Sequence, residues 1–356
     1  MSADRRPRVV ISMGDPGGIG PEVVVKALCD AGLRARARVR VLGPAWAMSA
    51  AARRGGLKEF WSVVPAGVRG ADADDGVVVV DSGEVGPFEA KATARGGAIS
   101  FRAVEEAIRL ARLPADDDDR ADAIVTAPIS KEAWALAGHR EFPGHTERLA
   151  ARFGRGGAGE SAPGVAMMFH APGVREGAPT LNVVLVTAHV PLARVRESIT
   201  MGRVLEVIRL GAEAMQRLGV REPRLAVCGL NPHAGEAGLL GDDEERVIGP
   251  AVEAACELGL DVRGPFPGDT IFGQALKGRF DLVVAMYHDQ GLIPVKLLAF
   301  DRAVNVTIGL KGIGGAPAVR TSPDHGTAYD IAGADRADPG SMHAALALAI
   351  RMASRG

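Results

Sequence analysis

Residues 281–296 read DLVVAMYHDQGLIPVK. Asp281 to Met286 is a short apolar run rich in β-formers, and Tyr287, His288, Asp289, Gln290 and Gly291 follow it directly. Such a run reads as a buried strand that delivers polar groups at its carboxyl end. In open α/β sheets ligands bind there, because the loops converge while the strands hold their roots rigid. His288 and Asp289 are therefore site candidates, weighed against the plainer reading of a loop histidine beside a solvated aspartate.

Two more stretches repeat the pattern. LNVVLVTAH (181–189) ends in His189, and RLAVCGLNPH (224–233) ends in Asn231, Pro232 and His233. Neutral imidazole is the commonest nitrogen ligand of divalent metals, and three protein ligands with open positions make a catalytic rather than a structural site. Separations of 44 and 55 residues belong to ligands gathered by a fold, so the repeated placement of a histidine past a strand carries more than the spacing does.

Composition sets the frame. A chain of 356 residues, 47% hydrophobic but 4% aromatic, fits one large or two ordinary α/β domains. Lys plus Arg number 42 against 43 Asp plus Glu, leaving no basic excess to attract nucleic acid or anionic lipid; an anion must be met by a local cluster. Cys29, Cys228 and Cys256 form no CxxC pair, which argues against disulfides and a thiolate metal site and for a reducing compartment. No apolar run approaches the roughly 20 residues of a membrane span, and MGDPGG arrives before a secretory core, so a soluble cytoplasmic protein is expected.

Strand and helix signals alternate along the chain, which predicts mostly parallel sheets covered on both faces. After a strand at 9–12, MGDPGGIGPEVVVKAL (13–28) gives a glycine turn and a helix from Pro21. The helix amide end welcomes anions, yet the spacing is not GxGxxG, and a tight βα turn explains the glycines equally well. Helices are expected at 100–113, 199–218 and 243–258, and Asp116 to Asp119 reads as a solvated loop. His145 and Thr146 in FPGHTERLA (142–150) stand at a helix start; they face a cleft, or Thr146 caps the helix beside an exposed His145, and the pattern does not separate the two. His170 reads as structural. The last third brings Lys296, Asn305 and Arg320-Thr321-Ser322, residue types suited to a phosphate-bearing substrate.

Taken together, MGDPGGIGPE, TAPISK, PGHTE, TAHVPL, GLNPHAGE, GDT, YHDQG, VNVTIGL and RTSPDHGTA, in this order over almost the whole chain, resemble the 4-hydroxythreonine-4-phosphate dehydrogenase (PdxA) family. The resemblance implies one divalent ion (Zn, Mg or Co) held by His189, His233 and His288. It implies substrate contacts from His145, Thr146, Lys296, Asn305 and Arg320, and a homodimer whose active-site cleft takes residues from both subunits. That family is similar in fold to the isocitrate and isopropylmalate dehydrogenases, with their GDGIGPE turn and HGSAPDIAG or HGTAPKYAG cofactor loop. The implied fold has two α/β/α domains with the active site in the cleft: 1–140 with 305–356 carrying the cofactor loops, and 141–304 carrying the histidines and dimer interface. The matching cofactor pieces are Gly14, Asp15, Gly17, Gly18 and Gly20, then His325, Gly326, Thr327 and Asp330. Asp330 stands where an acid accepts from ribose hydroxyls and repels a 2′-phosphate, favouring NAD.

The chemistry so implied is oxidation of 4-phosphooxy-L-threonine by NAD, with decarboxylation to 3-amino-2-oxopropyl phosphate for pyridoxal 5'-phosphate synthesis. A divalent ion at the hydroxyl eases its loss of a proton as hydride leaves. Asp289 and Asp269 are candidates for orienting the ligands, and Lys296 either binds phosphate or assists proton transfer. Two segments, 154–176 and 311–318, exceed what compact family members carry. Alternatives are the same chemistry on a phosphorylated threonate or erythronate or on a dihydrodiol, and, in another class, a metal-dependent lyase or hydrolase or a phosphate acyltransferase without NAD.

Overall fold

Short runs form the strands, most of them rich in Val, whose branched side chain favours a strand over a helix. The structure, a computed structural model, describes residues 6–70, 76–142, 144–153, 164–173, 179–300, 302–315 and 317–355. Pro143 and most of the expected long loop, 154–163 and 174–178, lie outside these. In chain order the strands are β1 (Arg8–Ser12), β2 (Arg38–Gly43), β3 (Ser62–Pro65), β4 (Val77–Asp81) and β5 (Ala123–Thr126). There follow β6 (Ala166–Ala171), β7 (Leu181–Leu185), β8 (Leu225–Cys228), β9 (Val262–Phe266), β10 (Leu282–Ala285), β11 (Val304–Lys311) and β12 (Pro317–Ser322).

The chain forms two compact units, 1–152 with 310–354 and 153–309. The sequence division switched at 141 and 305; here His145 and Thr146 lie in the first unit, on the helix His145–Phe153. Strand order in the first unit is β3-β4-β2-β1-β5-β12, every pair parallel. Because β2 lies on one side of β1 and β5 on the other, the order reverses at β1/β5, and the segments after Ser12 and Thr126 emerge side by side. The second unit runs β11-β6-β7-β10-β8-β9, with β6 the one antiparallel strand. The class is thus the mixed α/β, mostly parallel one read from the sequence.

Near-continuous burial along β1, β5, β7, β8 and β10 is what a parallel sheet covered on both faces demands. In the second unit Met167, Phe169, Leu181, Val183, Leu185, Ile271, Phe272 and Val295 share one core, and each such side chain contributes roughly 1.5–3 kcal/mol. The helix Ala94–Arg112 starts six residues before the expected Ser100, because Thr93 Oγ1 caps Gly96 N at 3.0 Å. The acidic run corrects an expectation: Asp119 is 6% exposed, paired with Arg40 at 2.9 Å and accepting from Gly70 N at 2.8 Å. Four adjacent acids masked one that is internal. No helix among the described residues is long and apolar enough to cross a membrane.

Candidate functional site

In the second unit, strand register brings two of the three histidines together. β7 and β10 pair in parallel with Leu185 opposite Ala285, and the ladder continues past both ends through Val186 N to Ala285 O (2.8 Å) and Thr187 N to Met286 O (3.2 Å). His189 and His288 lie four and three residues beyond that matched pair, so their rings meet, tilted at 46° with centroids 5.5 Å apart. His288 opens the helix His288–Ala299 instead of sitting in a loop. Its Nδ1 lies 2.7 Å from Asp289 Oδ1, which fixes the tautomer with the proton on Nδ1 and leaves Nε2 as a lone-pair donor. Gln290, which the sequence reading passed over, ties the neighbouring ends: its Oε1 accepts from Met286 N (2.7 Å) and its Nε2 donates to Gly229 O (2.8 Å).

His233 follows β8, the strand on the other side of β10, and its side chain is 67% exposed. Residues 233–238 all have positive φ, including His233 (52°), Ala234 (54°), Glu236 (46°) and Ala237 (52°). A left-handed run of non-glycine residues costs about 1–2 kcal/mol per residue and persists only when its surroundings impose it. Glu244, 4% exposed, anchors the segment leading into it: Oε1 accepts from Leu230 N and Asn231 N, both at 2.8 Å, and Oε2 from Asn231 Nδ2 at 2.9 Å. Among the described residues no group of three His, Cys, Asp or Glu side chains gathers closely enough to hold an ion. The His189–His288 pair offers two imidazoles with the tautomer set; His233 is not brought to it within one chain.

The remaining candidates of this unit are separate. Asp269 is exposed in the first turn of the helix Gly268–Ala275. Lys296 is half-buried on the His288 helix, its Nζ 5.1 Å from the centre of the Phe300 ring, and desolvation holds its ammonium below the ordinary lysine value. Asn305, on β11, has a buried Oδ1 with no hydrogen-bond partner among the described residues. His170 pairs through Nδ1 with Asn182 Oδ1 at 2.7 Å, across β6 and β7.

In the first unit, Arg320 on β12 is 2% exposed and donates through Nε (3.0 Å) and Nη2 (2.6 Å) to one oxygen, Thr126 Oγ1 at the end of β5. Burial lowers its pKa to about 9, partly offset by the Glu147 carboxylate, so it remains a cation at neutral pH. His145 packs edge-on against Trp134, ring centroids 5.7 Å apart, with Nε2 sealed from solvent and without a hydrogen-bond partner among the described residues. Burial foremost, and then the Arg320 charge, hold His145 well below the usual histidine value, so it is neutral. Thr146 is buried beside it. A buried cation on a neutral hydroxyl, next to an imidazole nitrogen lacking a partner among the described residues, has the chemistry to receive an anion. Of the two readings of His145, the exposed one does not hold. Thr126, Trp134 and Glu147 were missed, although TAPISK marked the first.

Still in the first unit, the cofactor candidates separate into a filled turn and an open loop. A Cβ on Gly14, Gly17, Gly18 or Gly20 would lie 2.3, 2.2, 2.8 or 2.3 Å from Pro128 O, Glu89 O, Thr327 O or Met13 O. These glycines are required by the chain's own packing. Among the described residues a Cβ on Gly326 would meet nothing within 4 Å and His325 Nε2 is buried without a partner, while Asp330 is exposed. An orphaned imidazole nitrogen beside open space fits a polar ligand group.

Parallel α/β units that present a buried anion receptor and paired histidines at strand ends define an enzyme of small anionic substrates. The family profile described as pyridoxal phosphate biosynthetic protein PdxA matches residues 51–349. The 4-hydroxythreonine-4-phosphate dehydrogenase of Geobacter metallireducens is 43% identical over 98% of this chain and 96% of its own. The D-threonate 4-phosphate dehydrogenase of Cupriavidus necator is 42% identical over 99% of both. The crystal structure of a 4-hydroxythreonine-4-phosphate dehydrogenase from Burkholderia phymatum superposes with a TM-score of 0.78 at 39% identity, covering 98% of this chain and 99% of that one. The chain belongs to the PdxA family of dehydrogenases.

Proposed function

We propose that the chain oxidises 4-phosphooxy-L-threonine with NAD, and that decarboxylation then gives 3-amino-2-oxopropyl phosphate for pyridoxal 5'-phosphate synthesis. The observation that carries the reading is the buried Arg320, hydrogen-bonded to a neutral hydroxyl beside the unpartnered Nε2 of His145. A phosphate monoester supplies acceptors for both groups: the guanidinium offers a charge that Glu147 offsets only in part, and neutral His145 donates from Nε2. The relative from G. metallireducens supports this substrate. The relative from C. necator supports D-threonate 4-phosphate almost equally, and the two differ in whether C2 bears an amine or a hydroxyl.

His189 and His288 would hold two positions of a divalent ion, and His233 of a second copy the third, since one chain does not bring it there. When bound, the ion would supply Lewis-acid stabilisation of the substrate oxygen as it loses its proton. Asp289 keeps the His288 proton on Nδ1. Lys296, with its proton affinity lowered by desolvation, takes the hydroxyl proton, and the unpartnered Asn305 oxygen accepts from a substrate donor. Asp269 orients the ligands only in the assembled site. The exposed Asp330 carboxylate favours NAD, since a 2′-phosphate would be repelled.

A homodimer completes this reading. Ile293, Leu297 and Phe300, exposed by 58, 84 and 75%, recur at helical spacing along the His288 helix and its end, as a stripe that another copy would cover.

Absorbance at 340 nm tests the proposal, with both phosphorylated substrates, NAD or NADP, and protein before and after chelation. NADH formed from 4-phosphooxy-L-threonine and lost on chelation is expected. Formation only from D-threonate 4-phosphate moves the assignment to that substrate, and no turnover with either overturns it.

A further inference from the structure

One buried carboxylate joins the MGDPGG turn to the DHGTAYD loop. Asp15 is 1% exposed; its Oδ1 accepts from Gly17 N at 2.9 Å and its Oδ2 from the Tyr329 hydroxyl at 2.8 Å. Room for it exists because residue 96 is glycine: a Cβ there would lie 2.6 Å from Asp15 Oδ1. Further ties run alongside. Ile19 N donates to Thr327 O at 2.9 Å, and Glu22 Oε1 accepts from Ala337 N at 2.7 Å. Lys26 Nζ donates to the carbonyls of Asp335 and Ala337 at 3.2 and 3.1 Å.

The turn therefore backs the loop, and a Cβ on Gly326 would meet nothing within 4 Å among the described residues. His325 Nδ1 is 3.2 Å from Gly326 O, which places its proton there and leaves Nε2 as a buried acceptor with no donor among the described residues. Tyr329 stands where the compared HGSAPDIAG motif has proline, a residue that fixes its own backbone but reaches no neighbour. In this chain a side-chain tie is present at that position.

We propose that Asp15 is a positioning residue for the dinucleotide: it does not touch the cofactor, but through the Tyr329 hydroxyl it holds residues 325–330 in the shape that receives it. The proposal rests on the NAD reading above. A hydrogen bond to a carboxylate is among the stronger ones, and a loop ordered beforehand spares the ligand the entropy of ordering it.

Three full-length variants, Tyr329→Phe, Asp15→Ala and Asp15→Asn, test it by NADH fluorescence titration, steady-state kinetics and hydrogen exchange without cofactor. Tyr329→Phe and Asp15→Ala should each weaken NADH binding about tenfold and raise KM for NAD, with kcat and KM for the phosphorylated substrate close to wild type. The double variant should be no weaker than Asp15→Ala. Asp15→Asn, still able to accept from Gly17 and bond the phenol, should recover part of the loss. Amides of 325–331 should exchange faster in Tyr329→Phe with no cofactor present. Should Asp15→Ala not fold, Tyr329→Phe, which deletes a single oxygen, carries the test. Wild-type NADH affinity and exchange in Tyr329→Phe would overturn the positioning role alone. If the wild type binds neither NADH nor NADPH, the NAD reading fails and takes this inference with it.

Discussion

Arg320 sends two N–H groups to a single oxygen, that of Thr126, and both residues are buried on adjoining parallel strands. The hydroxyl has two lone pairs and spends both on the guanidinium. Thr126→Val should therefore strand a buried cation and lower stability by about 1–3 kcal/mol, read from urea unfolding. Arg320→Lys keeps the charge but not the fork. It should raise KM for the phosphorylated substrate roughly 10–100-fold with a smaller change in kcat, and an unchanged KM would remove Arg320 from phosphate binding.

His145 gives the fold a pH dependence of known sign. Burial, then the Arg320 charge, lower its folded pKa well below 6.5, so the unfolded chain takes up this proton first as pH falls. Stability is full above 6.5 and is lost below it, at up to about 1.4 kcal/mol per pH unit. His145→Gln should flatten the stability profile between pH 6.5 and the lowered folded value, measured as the difference between wild type and variant. Parallel profiles would mean that the ring is protonated inside the fold.

The metal reading predicts that His288→Ala and His233→Ala purify without the divalent ion that the wild type retains, by elemental analysis. Asp289→Asn, which loosens the 2.7 Å bond to His288 Nδ1, should weaken metal binding about 10–100-fold while NADH still binds. Full metal content in His233→Ala would eliminate it as a ligand.

If the third imidazole comes from a second copy, two dead variants should complement. Mixing His189→Ala with His233→Ala chains leaves one intact site in each mixed dimer, hence about a quarter of wild-type activity after random exchange. Leu297→Glu, in the stripe 84% exposed on one chain, should shift the sedimentation profile to monomer and abolish that activity. A Leu297→Glu protein that stays dimeric would move the interface elsewhere.

Alternating apolar runs and punctuation made the fold readable along the chain. Strand ends at Thr126, Leu185, Cys228 and Ala285 are encoded locally by β-branched runs followed by polar or glycine-rich turns. Such runs also marked which histidines leave the strands at carboxyl ends. Burial was not legible. Asp119 within four acids reads as solvated, His145 at a helix start reads equally as exposed or cleft-facing, and nothing in the glycine turn marks Asp15 as buried; each is enclosed by residues 50 or more positions away, such as Arg69, Arg320 and Tyr329.

By itself, then, the order of residues determined the element sequence, the parallel class and the histidines at strand ends, because those depend on neighbours within a few positions. Only the tertiary structure decided that His189 meets His288 and His233 does not, since register between strands sets that distance. It alone also showed that the MGDPGG glycines make room for backbone carbonyls, because a missing Cβ has meaning only against what lies opposite it.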